Sequence, residues 1–164
     1  MKYVLCLIFF WMLQSDNYLL EDCVQNKLKI EIAKIHTHKV DYTNTGYQDL
    51  FTIMHPDSSV KYLINIIRTK SPITSYEYLK SEEYKNSFSD ALTKIEEVKE
   101  VTYKSFTGIR FLKKKTTSKL VFLSYTVSTI VKGDLLVITY NTIEKLFYNY
   151  SDEFDYSLNS IKFK

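Results

Sequence analysis

The sequence predicts an α+β fold: an antiparallel β-sheet packed with helices in an α/β sandwich. Three observations carry this. Apolar and polar residues alternate at period two in several segments, as at Leu28, Ile30 and Ile32. Two apolar runs, residues 120–131 and 135–138, flank Lys132-Gly133-Asp134, the pattern of a tight antiparallel hairpin. Near the end of the chain Ile143, Phe147, Tyr150, Phe154, Leu158 and Ile161 recur at spacings of three and four, one face of a helix.

Taken in order, residues 16–26 are polar around Leu19-Leu20 and predict a lead-in or a short helical turn. Leu28, Ile30 and Ile32 predict a half-buried strand. Asn44-Thr45-Gly46 marks a turn, and Leu50-Phe51-Thr52-Ile53-Met54 a second short strand stopped by His55-Pro56-Asp57. Residues 60–68 are almost continuously apolar, which predicts a central strand buried on both faces. Thr74 stands three residues before Glu77, a capping-box spacing. Leu79, Tyr84, Phe88, Leu92 and Ile95 then predict one broken helix or two short ones over 75–95, with the break at Asn86-Ser87. The alternation from Val101 continues through Ile109 and Phe111 as a strand, where Gly108 predicts a bulge or a close backbone contact. Lys113-Lys114-Lys115 predicts a solvated hairpin loop. Asn141 with Glu144 three residues on predicts the start of the terminal helix, whose apolar stripe must lie on the sheet.

Residues 1–15 set the compartment. Met1-Lys2 is positively charged, residues 3–13 are apolar without a charge, and Gln14-Ser15-Asp16-Asn17 is polar. That order describes a secretory signal peptide, with residues 16–164 as a single exported domain, periplasmic or extracellular. An uncleaved membrane-anchored form is one alternative, and a fully buried first strand or helix of a cytosolic domain is the other. The run falls short of the ~20 residues that span a bilayer. Neither Cys6 nor Cys23 has the neighbours of a lipid-attachment cysteine. Cleavage after Ser15 leaves Cys23 alone, so the fold must stand on its core without an internal disulfide.

The net charge of +3 is too small, and its one lysine cluster too narrow, for a nucleic-acid face. Three glycines are too few and too scattered for a phosphate-cradling loop. The sequence calls for no cofactor.

Several segments together resemble the PsbP/Mog1-like α/β-sandwich proteins. They are Phe106-Thr107-Gly108-Ile109-Arg110-Phe111, the hairpin around Lys132-Gly133-Asp134, Leu136-Val137-Ile138-Thr139-Tyr140, and the close at Phe154 and Ser160-Ile161-Lys162-Phe163. The resemblance covers residues 60–163, about two thirds of the chain. It implies the sandwich fold, a non-catalytic tendency and docking to a larger protein. It carries over no active-site residue. The first half lacks that family's opening motif.

Candidate sites are few. His36 and His38, two apart on a strand, point the same way and could offer two metal ligands, with Asp41 or His55 as a third. A solvent-facing edge pair is the plainer reading. No serine sits in a G-x-S-x-G elbow, and the carboxylate pairs Glu82-Glu83, Glu96-Glu97 and Asp152-Glu153 diverge as neighbours on a helix do. Asn149-Tyr150-Ser151 fits the glycosylation pattern by chance, inside a predicted helix. Tyr76, Tyr78, Tyr148 and Tyr156 are candidates for an aromatic interaction surface, against the plainer reading that they rim the core. These observations favour an exported, non-enzymatic domain that binds a protein partner or assists an envelope assembly. One alternative is a small-ligand or lipid-binding module with a cavity between helix and sheet near Tyr125, Val127 and Phe147. The other is a hydrolase or metal-dependent enzyme built on His36, His38 and Cys23.

Overall fold

The computed structural model describes residues 18–23, 27–33, 39–44, 48–54, 62–70 and 75–164. The predicted signal peptide, His36, His38 and His55 lie outside the described residues. A seven-stranded antiparallel sheet runs in the order β3 (Lys39–Asn44), β4 (Gln48–Met54), β5 (Tyr62–Thr69), β9 (Asp134–Ile143), β8 (Val121–Val131), β7 (Thr107–Thr116), β6 (Thr93–Thr102). A smaller sheet joins β1 (Tyr18–Cys23), β2 (Leu28–Ala33) and β10 (Lys162–Phe163), with β2 in the middle. Among the described residues two helices accompany the sheets, α1 (Glu82–Asn86), preceded by a 3-10 turn at Tyr78–Lys80, and α2 (Glu144–Ser160). The α+β sandwich is as the sequence predicts.

The layers follow from the alternation. On one face of the large sheet Ile64, Ile66, Val127, Leu136, Ile138 and Tyr140 are buried against Phe147, Phe154 and Leu158 of α2 and against Leu28 and Ile30 of β2. The apolar stripe of α2 therefore lies on the sheet, as its spacing requires. On the other face Leu79 and Tyr84 cover Ile109 and Phe111. Further along that face the strands carry hydroxyls and amides paired across the ladder. Thr126 and Thr139 are 3.0 Å apart, Ser124 donates to Asn141 Oδ1 at 2.7 Å, and Thr52 donates to Asn65 Oδ1 at 3.0 Å. The strand β5 is interior, but only its Ile64–Ile66–Arg68 side is fully buried; Leu63, Asn65 and Ile67 are half-buried.

The hairpin β8–β9 closes as predicted, with Val131 opposite Asp134. Lys132 (φ 52°) and Gly133 (φ 82°) both take positive φ, the two-residue turn whose twist matches the strands. Gly108 meets its expectation through close contact: a Cβ there would stand 2.9 Å from both the Ser128 carbonyl oxygen and Val127 Cγ1. Gly108→Ala is expected to cost about 1–3 kcal/mol by overpacking, read as a lower urea midpoint at unchanged slope.

Several expectations are corrected. Residues 18–23 are not a helical lead-in but a strand, held in a six-residue register on β2. Of the turn predicted at Asn44-Thr45-Gly46, Asn44 belongs to β3 and the other two lie outside the described residues. The 75–95 helix shrinks to a 3-10 turn and five residues of α1, capped by Ser81, whose Oγ accepts from the Tyr84 N–H at 3.1 Å; the cap predicted at Thr74 lies outside the described residues. Leu92 precedes and Ile95 lies within β6, while β6 and β7 form a hairpin in place of one strand through Val101–Phe111. Lys113, Lys114 and Lys115 sit within β7, not in a loop, and Asn141 belongs to β9, so α2 starts at Glu144 with no side-chain cap.

Candidate interaction surfaces

The space between α2 and the sheet is filled. Phe147 is fully buried, its ring centroid 4.7 Å from Tyr125 and 5.7 Å from Tyr140, while Phe154 stacks on Tyr140 at 5.1 Å. Tyr125, Val127 and Phe147 thus form packed core rather than the walls of a cavity. Buried charges are tied to the framework. Arg110 Nη1 donates to both oxygens of Asp155 at 2.9 and 3.1 Å and its guanidinium lies 4.3 Å from the Tyr125 ring centre. Tyr103 donates to the same carboxylate at 3.1 Å, and burial first, then the Asp155 charge, pushes its hydroxyl well above the ordinary tyrosine range. This cluster pins the middle of α2 to β7. Arg68 and Asp134, 2.8 Å apart, do the same for the β8–β9 hairpin against β5.

Among the described residues no group of three His, Cys, Asp or Glu could hold a metal ion. Cys23 is fully buried in the main core, the plain packing role. The four singled-out tyrosines do not form one surface. Tyr156 donates to Glu31 Oε2 at 2.8 Å, joining α2 to β2. Tyr78 meets the Tyr84 ring edge-on at 5.8 Å. Tyr76 lines a cleft, and Tyr148 is 69% exposed at the start of α2.

That cleft, of about 430 Å³, opens where β7 begins and β8 ends. Aromatic walls come from Tyr76, Phe106 and Phe163, an aliphatic floor from Ile130 and Val131, and a charged rim from Lys132. Phe106 is held by Tyr103 (5.0 Å) and Phe163 (5.9 Å). Thr129 donates to the Thr107 carbonyl at 2.7 Å across the floor. No sequence signal singled out the cleft, because its residues come from four separate segments.

Lys113 is also pulled inward. Its Nζ lies 5.0 Å from the Phe88 ring centre, and burial lowers the ammonium to about 8. An unfolded lysine titrates near ~10.4, so the folded chain sheds this proton first. The site's contribution to stability is flat below pH ~8, rises with pH between ~8 and ~10.4, and is flat above. Lys113→Met should therefore melt higher than wild type at neutral pH, with the gap closing over that interval. A gap independent of pH would contradict the burial.

No family model matches the sequence, and no curated protein matches it. Solved structures share its fold. The cyanobacterial PsbP (CyanoP) of Synechocystis sp. PCC 6803 is 10% identical, with 90% of this chain and 93% of that one covered and a TM-score of 0.65. The protein of unknown function PA94 from Pseudomonas aeruginosa is 11% identical, with 88% and 95% covered and a TM-score of 0.55. A structure from Bacteroides thetaiotaomicron VPI-5482 is 10% identical, with 84% of this chain but 45% of that one covered and a TM-score of 0.58. The chain thus has a PsbP/Mog1-like fold, and at such identities the likeness is one of fold alone.

Proposed function

We propose that the protein is an exported, non-enzymatic accessory domain that binds a protein partner through the cleft between Tyr76, Phe106 and Phe163. The carrying observation is the cleft itself. It is aromatic-walled, open to solvent, and rimmed by Lys132, the composition that protein interfaces favour at their centre and edge. Export is supported by the charged, apolar and polar order of residues 1–15. The accessory role is supported by the fold shared with cyanobacterial PsbP. A small-ligand module is the second reading, favoured by a volume within the ~300–1,000 Å³ of ligand pockets.

A photo-crosslinking residue at Ser105, exposed on the cleft rim, tests this in the cells that make the protein. One dominant protein adduct is expected at Ser105 and none at Asn149, exposed on α2. An adduct of small-molecule mass would favour the ligand reading. Equal protein adducts at both positions would sink the cleft as the docking site.

A further inference from the structure

We propose that the opposite end of the sheet is a contact surface for an anionic lipid bilayer. The ten residues of β7, at ~3.3 Å each, separate the cleft from this end by about 30 Å. Here the turn before β6 and the turn between β7 and β8 stand side by side. The Leu92 carbonyl accepts from the Thr116 N–H and the Leu120 carbonyl from the Thr117 N–H, both at 2.9 Å. Backbone bonds to consecutive residues thus fix Leu92 within the first turn and Leu120 at the base of the second, where they are 52% and 50% exposed. The Thr117 hydroxyl closes the second turn, donating to the Leu120 carbonyl at 2.8 Å and accepting from its N–H at 3.0 Å.

Tyr148 belongs to the same end. The Lys114–Glu144 ion pair, 2.8 Å, ties the start of α2 to β7. Glu144 foremost raises the Lys114 ammonium, and Tyr148 stands near enough to add to that shift. Exposed around these three side chains are Lys94, Lys115, Lys119 and Lys145, against Asp90 and Glu96, an excess of two positive charges. Lys113 is turned toward Phe88, and Lys114 is paired with Glu144. Asp90 is turned to its own turn, accepting from the Leu92 N–H at 2.7 Å.

Exposed leucines at two adjacent turns, with a tyrosine and lysines at the same end, match the layering of a bilayer surface. Apolar groups enter the acyl boundary, the amphipathic ring sits at headgroup depth, and lysines meet anionic headgroups. An acidic protein segment is the competing occupant, and the test separates the two.

Full-length protein is floated with phosphatidylcholine vesicles and with vesicles in which about one third is phosphatidylglycerol. The apolar run of residues 3–13 is present in every arm, so the readout is the phosphatidylglycerol-dependent part of binding. Wild type should bind the anionic vesicles more tightly and lose that gain at high salt. Leu92→Ser/Leu120→Ser and Lys115→Glu/Lys119→Glu should each weaken it by about tenfold. Lys104→Glu/Lys162→Glu, the same double charge reversal on exposed residues away from this end, should leave it near wild type. All altered side chains are exposed, so circular dichroism should show native folding throughout. Equal binding to both vesicle types would overturn the proposal. So would loss in the Lys104→Glu/Lys162→Glu variant matching that of Lys115→Glu/Lys119→Glu, or binding to poly-glutamate but not to anionic vesicles.

Discussion

Phe154→Ala is expected to remove about 3–5 kcal/mol of folding stability, the range for truncating a fully buried aromatic. The ring is 2% exposed and stacked on Tyr140 at 5.1 Å with 22° between the planes. It occupies the centre of the stripe, one turn from Leu158 and two from Phe147, so nothing nearby can collapse into the gap without moving α2. Phe154→Leu should retain most of the stability, since it keeps apolar volume in place. Urea unfolding followed by circular dichroism checks both. A loss below about 1 kcal/mol for the alanine variant would mean that α2 is not seated on the sheet as described.

Asp134→Ala comes next, at about 3 kcal/mol. Its Oδ2 is 2.8 Å from Arg68 Nε, with the side chains 21% and 5% exposed. Removing the carboxylate takes the 2.8 Å ion pair from the buried guanidinium, whose contact with the Val131 carbonyl is long at 3.5 Å. Breaking one side of a buried pair costs ~3–5 kcal/mol, taken at the low end because Asp134 keeps some contact with water. The double change Arg68→Met/Asp134→Leu should cost markedly less than the single one, because it removes charge and counter-charge together. Thermal melting of the three proteins at one pH gives the comparison. A double variant as unstable as the single would place the loss in the turn rather than in the ion pair.

The parts of the fold that the sequence made legible are those whose burial is one-sided and regular. The stripe from Phe147 to Ile161 and the alternating burial of β9 have undisturbed periods, whereas β8, with Thr126 to Thr129 buried in a row, is announced by its apolar run and the Lys132-Gly133 turn. Failure came where another force set the pattern. Leu92 and Ile95, three apart, imitate a helix face, but Leu92 lies in the turn before β6 and Ile95 within the strand, beside the bulge that shifts the register between Ile95 and Glu97. The charged residues around them guard an exposed sheet edge, which also reads as a helical surface. Lys113-Lys114-Lys115 resembled a loop because charge was counted and stems were not. The long aliphatic chains of Lys113 and Lys114 lie along the sheet while their ammonium groups reach Phe88 and Glu144. Asn141 had the spacing of a cap, but its side chain accepts from Ser124 on the neighbouring strand. The strand β1 carries no alternation strong enough to announce itself and depends on β2 for its register. Both candidate surfaces were illegible for a related reason. The cleft and the lysine-rich end each assemble residues from distant segments, and only the pairing of strands brings them together.

One measurement decides whether this chain works outside the cytosol as an accessory domain: the intact mass of the protein in fractionated cells. A mass lacking about the first fifteen residues, in the soluble exported fraction, is the expected result. A full-length mass confined to the cytosol would contradict it, and would return residues 3–13 to the folded core.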